Sequence, residues 1–253
     1  MKFKINKKKM LKNLMLLMFL ILIICFSYFV IKNMMNKNYY TVHSRMKQIE
    51  EKSTDDVKVI GWIQVQGTSI DYPIIDYDDI HKVNYEYLWL ASQYFEGENR
   101  KVIYGHNILN VSNTPLVNEK SHTKFEPLMG FVYDSFAKKN LYINYTYNGK
   151  NNIYKIYAVS FQSIDDEIGQ SYLNGDMTDN YIKKAKEDSI YDYDVDVNSS
   201  DEIISLITCT RYFGLNGKTQ FRVDARKLRE NEKIEKYSVS TNQNYDELNQ
   251  NSL

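Results

Sequence analysis

Cysteine is nearly absent from this chain. Cys25 and Cys209 are the two in 253 residues. Cys25 lies in a greasy run near the N-terminus, so Cys209 has no evident disulfide partner. Two cysteines exclude a disulfide framework and a cysteine-based zinc site. With three prolines and ten glycines, the chain is not a low-complexity one. A charge excess is missing too: 32 basic side chains balance 32 acidic ones. That argues against a nucleic-acid partner, because phosphate binding needs a basic surface. Apolar and aromatic residues are plentiful, the aromatics mostly tyrosine. Length and composition suit one globular domain plus extras.

The charge is unevenly placed. Residues 1–12, MKFKINKKKMLK, hold six lysines and no acid. Leu14 to Ile31 follow without a charge, and Lys32 closes the run. At 1.5 Å per residue such a helix spans about 27 Å, close to the hydrocarbon thickness of a bilayer. The alternative is a cleaved signal peptide, which has a shorter apolar region and small residues at its cleavage site. KNMMNKNYY follows Ile31 and offers no such site. The expectation is therefore a cytoplasmic basic segment over 1–13, a transmembrane anchor over 14–31 and a juxtamembrane stalk or helix over 32–55. The lysines stay inside, so the C-terminal bulk lies outside the cell as a single-pass protein.

The folded domain is expected over 56–228. VKVIGWIQVQGTSIDYPII reads as two short strands joined by a turn, with Gly61 and Gly67 as breaks. RKVIYGHN is a short strand entering a loop. In 141–161, Leu141, Ile143, Tyr145 and Tyr147 alternate and Asn148-Gly149 signals a hairpin turn. Residues 177–189 read as a helix with Thr178 or Asp179 as N-cap. EIISLITC is a buried strand. TQFRVDARKL alternates, with Gln220, Arg222, Asp224 and Arg226 on a polar face. The tail 229–253 is polar and expected to be disordered. Together these elements predict a mostly-β domain, a closed or nearly closed barrel with a few helices.

Cys209 stands where an apolar strand stops and a polar loop begins. A free cysteine is often just a small buried hydrophobe, but an unpartnered thiol facing an oxidising exterior is a liability unless it is used. A thiol attacks only as the thiolate, so it needs a base or a positive charge nearby. Of four histidines, His43 lies in the stalk, and His81 and His122 lie in polar stretches. His106 follows Gly105 at a strand end, a rigid mount for a base. Arg222 and Arg211 are the arginines that could stabilise an oxyanion. The acidic runs at 165–170 and 191–197 read as solvated surface.

These pieces resemble the sortases, and class B sortases in particular. The resemblance rests on VIGWIQVQGTSIDYPII, KVIYGHN and SLITCT, in that order behind an apolar anchor, and on the helix before the cysteine strand. It covers roughly residues 55–228. Ser205 to Cys209 is close to the T-L-x-T-C motif, with serine for the first threonine. The resemblance implies an eight-stranded β-barrel with added helices on the outside of a Gram-positive cell. It implies a cysteine transpeptidase that takes a C-terminal sorting signal of another secreted protein. Cys209 would attack a Thr–Gly-type bond to form a thioester, and an amine of a peptidoglycan precursor would resolve it. By the same resemblance His106 is the acid/base, and Tyr104 and Thr208 line the substrate groove. No metal or other cofactor is implied.

The sequence departs from the family at the arginine. The family reads R-[FL]-x-V-x-[AG], and aligning on FRVDA puts Gln220 at that place, with Arg222 two residues later. Both side chains share a strand face about 7 Å apart. Arg222 is the expected oxyanion or substrate stabiliser, with Arg211 or a glutamine-assisted site as alternatives. Ordinary Cys and His pKa values leave few reactive thiolate–imidazolium pairs at neutral pH, so slow turnover is expected. Two other readings remain open: an anchored cysteine peptidase that hydrolyses, and a non-catalytic sortase-like binding protein.

Overall fold

The computed structural model describes residues 7–76, 87–91, 99–117, 122–165, 175–215 and 218–245. The chain divides into two compact units, Met1–Arg45 and Met46–Leu253. Helix α1 is Lys7–Lys52. Its stretch Leu11–Val30 is long and apolar enough to cross a membrane, and none of it is buried by protein. The second unit starts ten residues earlier than the sequence suggests. Met46 and Ile49 share one helix face and pack with Val57, Val59, Trp62 and Ile75. Ser53 ends the helix: its hydroxyl donates to the Ile49 carbonyl and accepts from the Val59 N–H.

Eight strands close a barrel. They are β1 Val59–Val65, β2 Asp71–Ile75, β3 Leu88–Leu90, β4 Arg100–Tyr104, β5 Tyr142–Tyr147, β6 Lys150–Ser163, β8 Ile203–Cys209 and β9 Thr219–Lys227. Their order is β1-β2-β3-β4-β8-β9-β6-β5. All neighbours are antiparallel except β2–β3 and β4–β8, which run parallel. The β5–β6 hairpin forms where Asn148-Gly149 predicts it. Both residues take positive φ, 48° and 70°, the geometry of a tight hairpin turn. Alternate residues, among them Ile63, Ile103, Ile143, Leu206, Phe221 and Val223, are fully buried in the main core.

After the short helix α2, Asp134–Ala137, comes helix α3, Gly175–Glu187, which begins two residues before the expected start. Asp179 does not cap it; its carboxylate accepts from the N–H and hydroxyl of Ser199. Tyr181, Ile182 and Ala185 form its buried face.

Over residues 229–245 the tail corrects the expectation of disorder. Strand β10, Val239–Thr241, pairs antiparallel with β7, Tyr191–Tyr193. Arg229 pairs with Asp196 and Asp201, and Arg226 with Glu232. The Tyr237 hydroxyl lies 2.6 Å from the Leu141 carbonyl and 2.8 Å from that of Ile156. Polar composition misleads here because the chain satisfies its polar groups against the barrel and buries single aromatics between them. In the acidic run 191–197, Asp192, Asp194 and Asp196 are exposed while Tyr191, Tyr193 and Val195 are buried. Most of the run 165–170 and His81 lie outside the described residues.

Candidate active site

Topology brings Cys209 and His106 together. Parallel pairing sets Tyr104 of β4 opposite Ile207 of β8. Beyond it the Gly105 N–H donates to the Ile207 carbonyl at 3.1 Å. The register therefore leads His106 to the position beside Cys209, at the carboxyl ends of two neighbouring strands about 4.8 Å apart. Gly105 is required by close approach: a Cβ there would meet Leu88 Cδ2 at 2.5 Å and Phe125 Cγ at 2.6 Å.

The loop after His106 is firmly held. The Phe125 N–H donates to the His106 carbonyl. Buried Glu126 accepts from the backbone N–H groups of Ile108, Leu109 and Thr123. Asn110 binds Leu116 in both directions and donates to the Glu126 carbonyl. The imidazole packs on Trp89, ring centroids 4.9 Å apart, and Trp89 stacks on Tyr104 at 5.9 Å. Sequence reasoning missed Trp89. It sits in a strand of three residues, too short for an alternation signal, and its aromatic surroundings in YEYLWL were the remaining cue.

Cys209 is exposed, yet partial burial pushes its thiol above the ordinary value. Burial pushes His106 below its ordinary value, and the charge of Lys124 adds to this. Both shifts favour the neutral thiol and the neutral imidazole. Burial also raises the Tyr104 phenol, with Arg100 opposing and a thiolate at Cys209 reinforcing the rise. Tyr104 thus lies within electrostatic reach of Cys209.

Thr208 does not fit the groove expectation. It is 1% exposed, and its hydroxyl donates to the Gly105 carbonyl at 2.7 Å. It points inward because its two neighbours on the strand point outward, and it ties the two strand ends that carry His106 and Cys209.

Arg222 is also not where a direct contact needs it. It is 1% exposed, and its Nε sits 2.7 Å from Asp224 Oδ2. Asp224 Oδ1 accepts from the hydroxyls of Tyr181 and Ser205, both at 2.5 Å. Arg100 donates to the same two hydroxyls, each at 2.9 Å. Burial disfavours the Arg222 charge, but Tyr181 and Asp224 outweigh it and hold the group protonated. The alternation shows a polar face on β9 but not its cover: Tyr181 of α3 roofs Asp224 and Arg222. A buried carboxylate draws the guanidinium inward, since an unpaired buried charge is strongly destabilising.

Gln220 is the residue directly opposite Cys209 across the β8–β9 ladder. Directly paired side chains lie on one face with Cβ atoms about 5 Å apart. Arg211 is exposed in the loop after Cys209. In that loop Tyr212 and Phe213 pack on Phe161 at 4.8 and 4.7 Å. Among the described residues, no group of three metal-ligating side chains forms.

The barrel is the sortase fold. The structure superposes on the Staphylococcus aureus sortase B–substrate complex with a TM-score of 0.57 and 18% identity, over 78% of this chain and 94% of that one. The match to Clostridium perfringens sortase B has a TM-score of 0.56 and 21% identity, over 77% and 100%. Sequence comparison narrows the class. Sortase B of Staphylococcus aureus is 25% identical over 185 residues, 70% of this chain and 72% of that protein. Sortase B of Listeria monocytogenes is 26% identical over 185 residues, 66% and 68%. No family model matches the chain. These likenesses support a class B sortase.

Proposed function

We propose that this protein is a membrane-anchored cysteine transpeptidase that joins secreted proteins bearing a C-terminal sorting signal to a peptidoglycan amine. The observation that carries the reading is the pairing of β4 with β8, which sets His106 beside Cys209 at one open strand end. His106 takes the proton of the Cys209 thiol, and the thiolate attacks the carbonyl carbon of the signal's scissile peptide bond. As the C–N bond breaks, His106 gives a proton to the leaving amine and a thioester remains. An incoming amine attacks the thioester, His106 takes its proton, and the thiolate leaves. Tyr104 and Trp89 form the wall beside the nucleophile. Leu11–Val30 anchors the protein, with the lysines before it in the cytoplasm and the barrel outside.

The test uses full-length protein in detergent with quenched peptides carrying sortase-type signals, with and without an amine acceptor, and mass spectrometry of the products. A thioester on Cys209 and transfer to the amine are expected. Water as the sole acceptor would favour a hydrolysing peptidase. No cleavage with an unreactive Cys209 would favour a binding protein.

A further inference from the structure

The active face carries a polar chain that nothing so far explains. Arg222 Nη1 donates to Gln162 Oε1 at 2.6 Å. Gln162 Nε2 donates to Gln220 Oε1 at 2.8 Å. Gln162 is directly opposite Gln220 across the β6–β9 ladder, as Cys209 is across β8–β9. Arg222, Gln162, Gln220 and Cys209 therefore share one face of three adjacent strands.

The direction of this chain is fixed by chemistry. A guanidinium only donates, so Gln162 must turn its oxygen to Arg222. Its amide nitrogen then faces Gln220, and Gln220 must accept through its own oxygen. The NH2 of Gln220 is left over. Among the described residues the Gln220 side chain makes no other hydrogen bond. The ion pair with Asp224, 2.7 Å from Nε to Oδ2, keeps the guanidinium on this face.

We propose that Gln220, aligned by Arg222 through Gln162, donates the side-chain N–H that receives the carbonyl oxygen attacked by Cys209. Gln220 is the catalytic residue, and Gln162 and Arg222 are positioning residues. The inference rests on Cys209 being the nucleophile. When the sulfur bonds to the carbonyl carbon, the π pair moves to oxygen and the Gln220 N–H meets the growing negative charge. When the pair returns, the bond to the leaving group breaks and the leaving group carries off its electrons, with a proton from His106 if it is an amine. The charge of Arg222 reaches the site by polarising two amides in series, which is weaker than a guanidinium in contact.

Two small reagents separate the step from its setting, using full-length protein in detergent. Iodoacetamide alkylates Cys209 without forming an oxyanion. p-Nitrophenyl acetate acylates it through one, with nitrophenolate as the leaving group. Gln220→Leu is expected to slow acylation about 100-fold, the scale of a lost oxyanion donor, with alkylation changed less than about twofold. Gln162→Glu keeps an acceptor for Arg222 but makes position 162 an acceptor toward Gln220. It draws the Gln220 NH2 away from Cys209, so acylation falls about as far while the fold and alkylation hold. Gln220→Arg places a charged donor at the same spot and is expected to acylate at least as fast as the wild type. Acylation unchanged in Gln220→Leu and in Gln162→Glu overturns the inference and leaves the nucleophile standing. Wild-type protein inert to both reagents overturns the Cys209 reading itself, and the inference with it.

Discussion

Two ends of one sheet face behave in opposite ways. Under α3, the face of β4, β8, β9 and β6 carries Arg100, Ser205, Arg222 and Asp224, each almost wholly buried and closed into one network with Tyr181. At the other end the same face carries Cys209, exposed, with His106 half-buried beside it. The roofed end has charge and satisfies it internally. At the open end burial rather than a paired charge sets the Cys209 thiol, and the two titratable groups are held neutral. The difference teaches that a charge two residues from the position paired with Cys209 can be structural, and that a strand register alone does not make a side chain catalytic.

Breaking the open end should have the largest effect. His106→Ala should lower acyl transfer by about 10²–10⁴-fold, with little change in stability, as measured by steady-state rates and urea unfolding. The pH profile sharpens the same point. His106 titrates below 6.5 and Cys209 above 9.0, so the acid limb of kcat/KM should fall below 6.5 and the alkaline limb above 9.0. Limbs inside that window would mean that the free site is more charged than its burial dictates.

Breaking the roofed end should cost fold rather than chemistry. Asp224→Ala leaves the Arg222 charge buried and unpaired, and should destabilise the barrel by about 3–5 kcal/mol in chemical denaturation. A smaller effect belongs to Glu202, between Lys101 and Lys227 with the Tyr154 hydroxyl. Burial raises its carboxyl, but hydrogen bonds from Lys101 and Tyr154 outweigh this and bring it down from 4.5 to about 2. Its folded pKa is depressed, so its contribution is complete above 4.5 and is lost as the pH falls toward 2. That loss should be about 2 kcal/mol after solvent screening, and Glu202→Gln should flatten that part of the stability curve.

An effect on the stability scale of Glu202 joins the two ends. Gly105→Ala forces a Cβ against Leu88 and Phe125, and should cost about 1–3 kcal/mol while displacing His106. Activity should fall more than stability accounts for. An unchanged rate would mean that the strand end is not a rigid mount.

Much of this was legible in the residues. The hairpin announced itself through alternation and Asn148-Gly149, and the nucleophile strand through an apolar run that stops at Cys209. The pairing of His106 with Cys209 was not legible, because a parallel register between β4 and β8 leaves no local pattern. A period of two tells that one face of β9 is polar but not that a helix covers it, so the burial of Arg222 beside Asp224 left no mark and it read as an oxyanion stabiliser. The tail hid for a related reason. Three-residue strands such as β10 exist by grace of their partner, and Tyr191 and Tyr193 lie far away in sequence.

The Thr208 hydroxyl meets the Gly105 carbonyl across 103 positions of chain. A parallel pairing of that span closes late, since its loop entropy must be met before any contact rewards it. Cys209 and His106 are thus strangers through most of folding, and a chain that stalls or is cut before β8 carries His106 without Cys209. The proposed reactivity is in effect certified by completion of the barrel.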